Sequence, residues 1–151
     1  MYEITIYEEA ERPVVAQRIQ TSMMQMKDNW PRFAEEVVKQ GIAPAGWGIT
    51  EFFVQGEFDP NNVDCELMLP VMGPIQPAEP LKAKVIPAGK VASIIHRGPH
   101  DTIGKAYEEL MAYIGQQGLK PIAHSREYYL RCPHNTTDPE GLVTEIQIPV
   151  E

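Results

Sequence analysis

The stretch Cys65–Val71, C-E-L-M-L-P-V, returns near the C-terminus as Thr144–Val150, T-E-I-Q-I-P-V. In both, a Glu stands second, apolar residues follow and a Pro-Val pair closes. The surroundings repeat too. Gly41-Ile42-Ala43-Pro44 matches Gly118-Leu119-Lys120-Pro121, and Val15, Ala16 and Ile19 match Val91, Ala92 and Ile95. Two copies of one unit at this length imply a pseudo-two-fold domain rather than a solenoid. The expected domain spans residues 1–151, with repeat 1 at about 1–72, a linker at 73–80 and repeat 2 at about 81–151.

Each repeat reads β-α-β-β, which gives an α+β fold. In the first, strands are expected at Tyr2–Tyr7, Val14–Thr21, Trp47–Gln55 and Asp64–Val71. A helix is expected from Pro31 to Gln40, where Trp30, Phe33, Ala34, Val37 and Val38 form an apolar stripe. Pro31 suits a first turn and Gly41 a left-handed stop. In the second, Val85–Arg97 is extended and Asp101 is a candidate N-cap. Ile103, Tyr107, Leu110, Met111 and Ile114 make the stripe, and Gly118 ends the helix. Strands follow at Glu127–Cys132 and Val143–Pro149, around a loop Pro133–Gly141. Gly73–Pro80, with three prolines, reads as a stiff bridge. One helix per repeat covers one face of its part of an antiparallel sheet. With both helices on the same side, the other face is left for solvent or a ligand groove along the seam.

A net charge of −8, from 13 basic and 21 acidic residues, leaves no basic stripe for nucleic acid. The start M-Y-E-I-T-I-Y-E-E-A lacks the features of a signal peptide, and no apolar run approaches a membrane span of ~20 residues. The expectation is a cytoplasmic protein with no membrane partner. Cys65 and Cys132 lie far apart and read as free thiols. His96, His100, His124 and His134 show no zinc spacing, so no metal or other cofactor is expected.

Three stretches carry a family resemblance: H-R-G-P-H-D-T-I-G-K-A-Y-E-E-L-M-A-Y-I at His96–Ile114, R-E-Y-Y-L-R-C-P at Arg126–Pro133, and Thr144–Val150. Together, over the internal duplication, the chain resembles the GyrI-like small-molecule-binding domain. That domain is also the effector-binding domain of AraC- and MerR-type multidrug regulators. The resemblance implies a central groove for flat, aromatic, often cationic compounds, with Glu145 as the counter-charge and Tyr129 as the strand tyrosine. Some stand-alone relatives are cyclopropanoid cyclopropyl hydrolases that use a Glu and a Tyr. The family's namesake inhibits gyrase. No helix-turn-helix precedes the domain, so direct operator binding is not expected and a separate regulator is a candidate partner. His100 stands where many relatives carry an aromatic.

Strand parity adds detail. Ile146 and Ile148 face one way, so Glu145 and Gln147 face the other, toward the groove if the isoleucines meet the helices. There Glu145 is a counter-charge or a general base; the alternative is a salt bridge to Arg18, Arg97 or Arg131. Its duplicate Glu66 either shares the groove or has drifted to an edge. Tyr129 shares parity with Glu127 and Arg131 and is expected in the groove, with Tyr128 in the core. Phe52 is its repeat partner on the other wall. Trp47, between Gly46 and Gly48, is a lid or a core residue, and His96 lines the groove or is structural. Tyr107 reads as core, and Met23, Met24 and Met26 as a packed helix entrance. The favoured function is binding of small hydrophobic or aromatic cations. A Glu145/Tyr129 hydrolase and a gyrase-type inhibitor are the alternatives.

Overall fold

The computed structural model describes residues 2–131 and 141–151, except the side chain of Arg131. Cys132, His134 and most of the expected loop Pro133–Gly141 lie outside the described residues. Eight strands and two helices follow in the order β1 (Glu3–Glu9), β2 (Arg12–Thr21), α1 (Met26–Lys39), β3 (Ile49–Phe52), β4 (Val63–Pro70), β5 (Lys82–Ile86), β6 (Gly89–Arg97), α2 (Gly104–Gln116), β7 (Arg126–Arg131) and β8 (Val143–Pro149). Short 3-10 turns at Met23–Gln25 and His100–Thr102 lead into the helices. The fold is α+β with antiparallel pairing, as the repeat pattern predicts. No helix among the described residues is long and apolar enough to cross a membrane.

The chain forms two compact units. The middle unit is Glu11–Pro87; the C-terminal unit is Ala88–Glu151 together with the N-terminal residues up to Ala10. In the middle unit the strand order is β5-β2-β4-β3. In the C-terminal unit it is β1-β6-β8-β7. The two orders are the same once β5 is matched to β1. The edge strand of each compact unit therefore comes from the other sequence repeat, which the division near residues 73–80 does not foresee. The Gly73–Pro80 bridge belongs to the middle unit, where the Gln40 amide bonds both the N–H and the C=O of Ala78.

One helix covers one face of each four-stranded sheet. Met26, Phe33 and Val37 of α1 pack with Val15, Cys65, Leu67 and Leu69. Ala106, Leu110 and Ile114 of α2 pack with Ala92, Ile94, Ile146 and Ile148. Removing each large apolar side chain from water contributes about 1.5–3 kcal/mol. Both helices end alike: Gly41 and Gly118 adopt φ of +74° and +71°. Ile42 N–H then reaches back to Val37 C=O and Leu119 N–H to Ile114 C=O, satisfying late carbonyls.

The stripes are narrower than the sequence suggests. Val38 and Met111 are 68% and 48% exposed, because each lies one residue, about 100° of helix, off the buried line. Helix α1 also starts earlier than Pro31, since burial of Met26 draws the preceding turn onto the core. Met23 and Met24, by contrast, are exposed, so only Met26 of the three methionines packs as expected. Asp101 sits in the 3-10 turn, and α2 begins without a side-chain cap.

Candidate functional site around Glu145

Strand register identifies true counterparts between the units. Val14 faces Pro70 and Val91 faces Pro149, so Val91 corresponds to Val14, one residue off the match read from sequence. Glu66 faces Arg18 on one side and Glu51 on the other. Glu145 faces Ile95 and Tyr128. On the edge strands, Lys84 pairs with Val14 and Tyr7 with Val91, which makes Tyr7 the counterpart of Lys84.

Because Ile146 and Ile148 lie in the α2 core, Glu145 and Gln147 occupy the opposite face of the sheet. There Glu145 is half-buried and held by neutral donors. Tyr7 Oη donates a short hydrogen bond to Glu145 Oε2. Ser93 Oγ donates to the same oxygen at 2.8 Å, and Gln147 Nε2 lies 3.1 Å from it. Gln147 Nε2 also lies 2.9 Å from Tyr7 Oη and 3.0 Å from Glu9 Oε2. With three oxygen acceptors around that nitrogen, the amide orientation follows from its surroundings. Burial raises the Tyr7 phenol far above its usual range, followed by the bond to Glu145 and the charges of Glu145 and Glu9. Tyr7 therefore keeps its proton and donates without cancelling the carboxylate's charge.

No ion pair to Glu145 forms among the described residues, although the buried Arg126 shares its face of the sheet, across from Gln147. Two of the arginines that offered a salt bridge are engaged elsewhere: Arg18 forks onto Asp64 at 2.7 and 2.9 Å, and Arg97 reaches Glu3 at 3.3 Å.

Glu66 has the opposite arrangement. It is 7% exposed, and Lys84 Nζ bonds its Oε1 directly. Lys84 also lies 3.9 Å from Glu51 Oε1 and 5.9 Å from the centre of the Phe53 ring. The duplicated carboxylate is thus neutralised from within the middle unit.

Other expected site residues lie elsewhere. Tyr129 is on the α2 side of β7: its hydroxyl donates to Glu127 Oε1 at 3.1 Å, and Tyr107 of α2 donates to Glu127 Oε2 at 2.6 Å. Tyr128 is buried at 5% exposure, as expected of a core residue, but it lies on the other face of the sheet, across from Glu145. The β7 parity is reversed because the buried acid Glu127 finds donors on the helix side, in Tyr107 of α2 and Tyr129 of its own strand. Phe52 is confirmed as the register counterpart of Tyr129, and it too lies on the helix side, within the α1 core. His96 is 2% exposed on the α2 side, with Nε2 2.9 Å from Pro99 C=O and 3.2 Å from Thr102 Oγ1. Trp47 is 55% exposed and belongs to neither core. Its glycines serve close packing: a Cβ on Gly48 would lie 2.8 Å from Trp30, and one on Gly46 3.0 Å from Pro70.

Tyr7, Ser93 and Glu9 escaped sequence reading. The alternation of E-I-T-I-Y-E-E puts Tyr7 and Glu9 on one face, but nothing local says which strand lies beside β1. The α2 side carries a second polar cluster. Burial raises the Glu127 carboxyl, and it raises the Tyr107 phenol well beyond its usual range; burial and then His96 lower His100. Among the described residues no three potential metal ligands come together. A cavity of ≈430 Å³ at the end of α1, lined by Gln40, Ile42, Val71 and Ile75 among others, presents no charged side chain.

A family model for the GyrI-like small molecule binding domain matches residues 2–151. The chain belongs to the GyrI-like family. The crystal structure of the EcmrR C-terminal domain is 27% identical with a TM-score of 0.92, covering 100% of this GyrI-like chain and 98% of that one. In the cryo-EM structure of an EcmrR–DNA complex the match has the same identity and TM-score, yet this chain spans only 57% of the EcmrR chain. A structure of SAV2435 bound to tetraphenylphosphonium, 18% identical with a TM-score of 0.65, covers 99% of this chain and 94% of that one; it shows likeness of fold alone. No curated protein matches the chain.

Proposed function

We propose that this GyrI-like domain binds small hydrophobic cations, with the Glu145 carboxylate as their counter-charge, and serves in sensing or sequestration of such compounds. Small-molecule binding belongs to the family; the cation and the acid are this proposal. One observation carries it. Glu145 is fixed by Tyr7, Ser93 and Gln147, which orient it without supplying positive charge, whereas its counterpart Glu66 already holds Lys84. A preorganised, half-buried carboxylate favours a cation more than one loose in water does, because less reorganisation accompanies binding. A separate regulator is the natural partner for sensing.

The test is fluorescence titration with rhodamine 6G. Glu145→Gln should weaken binding about 10- to 100-fold, the range for losing a charge-assisted contact of about 1.5–3 kcal/mol. Glu66→Gln should leave it within about twofold, by the same arithmetic. Equal binding by wild type and Glu145→Gln would overturn the proposal.

The Tyr7–Glu145 hydrogen bond also favours a second reading, hydrolysis of cyclopropanoid electrophiles with Glu145 as general base on water. Tyr7 takes the place expected for Tyr129. Turnover of such a compound, lost in both Glu145→Gln and Tyr7→Phe, would support it; no turnover by wild type would remove it.

A further inference from the structure

Resting on the reading that Glu145 receives the ligand, we infer that the preferred ligand offers it an N–H bond, as a protonated amine or amidinium does, in preference to a fully alkylated cation. The first observation is the asymmetry of the carboxylate. Tyr7, Ser93 and Gln147 all converge on Oε2, and no donor among the described residues reaches Oε1. An ionised carboxylate has about four acceptor positions, so one oxygen is saturated and the other keeps its capacity. The second observation is the internal duplicate. In the middle unit the equivalent carboxylate is completed by Lys84, a primary ammonium that donates directly to one oxygen of Glu66. Lys84 projects from the β5 position that corresponds to Tyr7 on β1. The fold has already solved the problem of satisfying this acid once, and it did so with an N–H donor.

The chemistry then separates two classes of cation. A protonated amine brings both charge and a hydrogen bond to Oε1. A quaternary ammonium brings only charge, displaces water from Oε1 and leaves a partly desolvated acceptor unbonded, which is costly. Hydrophobic contact is nearly the same for two compounds that differ by a single methyl on nitrogen.

The experiment compares N,N-dimethyl-1-naphthylmethylamine, protonated at pH 7, with its N-methylated trimethylammonium analogue, by calorimetric or fluorescence titration of the full chain. Wild type should favour the N–H-bearing probe by tenfold or more. In Glu145→Met, which keeps side-chain length but has no acceptor, both probes should weaken and the ratio should fall below about threefold, since no hydrogen bond remains to tell them apart. Measurable but equal affinities in wild type would overturn this inference while leaving the cation-binding reading intact. Failure of both probes and of rhodamine 6G to bind wild type would overturn both together. Discrimination that survives in Glu145→Met would place the N–H contact elsewhere and overturn the inference.

Discussion

Glu66 and Glu145 occupy the same place in two copies of one motif and are treated in opposite ways. Glu66 is 7% exposed and is bonded by an ammonium from its own unit. Glu145 is half-buried and is bonded by a phenol, a hydroxyl and an amide. The decisive difference sits on the edge strand, at Lys84 against Tyr7. A cation there closes the site, because the Coulomb and hydrogen-bond energy of the acid is used internally. A neutral donor there fixes the acid's geometry and leaves its charge for something else. Duplication thus yields one acid closed by an internal ammonium and one held by neutral donors, separated mainly by a single side chain.

The substitution Tyr7→Lys grafts the middle unit's arrangement onto the C-terminal unit. Rhodamine 6G affinity should fall about 100-fold as an internal ammonium competes for Glu145, an effect near 2.7 kcal/mol. A circular-dichroism spectrum should remain that of the wild type. Retained affinity would mean that the acid's charge is not what the ligand meets.

The reverse change, Lys84→Met, strands Glu66 without its cation. Breaking a fully buried pair costs about 3–5 kcal/mol, but Lys84 is 36% exposed and water offsets part of that, so about 2 kcal/mol is expected. Urea denaturation measures it, and adding Glu66→Gln to Lys84→Met should recover most of the loss. Ligand affinity should not change.

Tyr7→Phe sharpens the contrast at a smaller scale. The acid keeps Ser93 and Gln147, so the expected loss is about 1 kcal/mol of stability, readable in the same denaturation experiment. A loss as large as that of Lys84→Met would make the phenol as structural as the ammonium.

The smallest effect concerns a third acid, Glu127, which belongs to neither site. Burial holds its folded pKa above the ordinary value of 4.5, so its stabilising contribution is complete below that value and is lost as pH rises through the folded pKa. Relative to wild type, Glu127→Gln should therefore be least favourable near pH 4 and gain ground toward pH 8 in urea titrations at the two values. A gap that widens with pH would show that the phenols of Tyr107 and Tyr129 outweigh burial.

Much of this was legible in the residues. The repeated C-E-L-M-L-P-V and T-E-I-Q-I-P-V endings revealed the duplication, and alternation in β8 put Glu145 and Gln147 opposite the isoleucine core, because a strand's side-chain period is fixed by its own backbone. Parity misled in β7. Arg126–Arg131 mixes polar and aromatic residues on both faces, so no apolar side announces itself, and the choice fell to the hydrogen bonds that Tyr107 and Tyr129 make with Glu127. The glycines around Trp47 were visible as a feature, but their reason, contact with Trp30 and Pro70, was not.

The sequence by itself determined the local elements, the helix stops at Gly41 and Gly118, the two-copy plan and the face on which Glu145 lies. Only the tertiary structure decided which edge strand joins which unit, and with it whether an acid meets Tyr7 or Lys84. The reason is physical. Helix periodicity, strand alternation and glycine turns arise from neighbours along the chain, whereas strand pairing is a competition between distant edges that offer the same backbone hydrogen bonds, won by the packing of the whole unit.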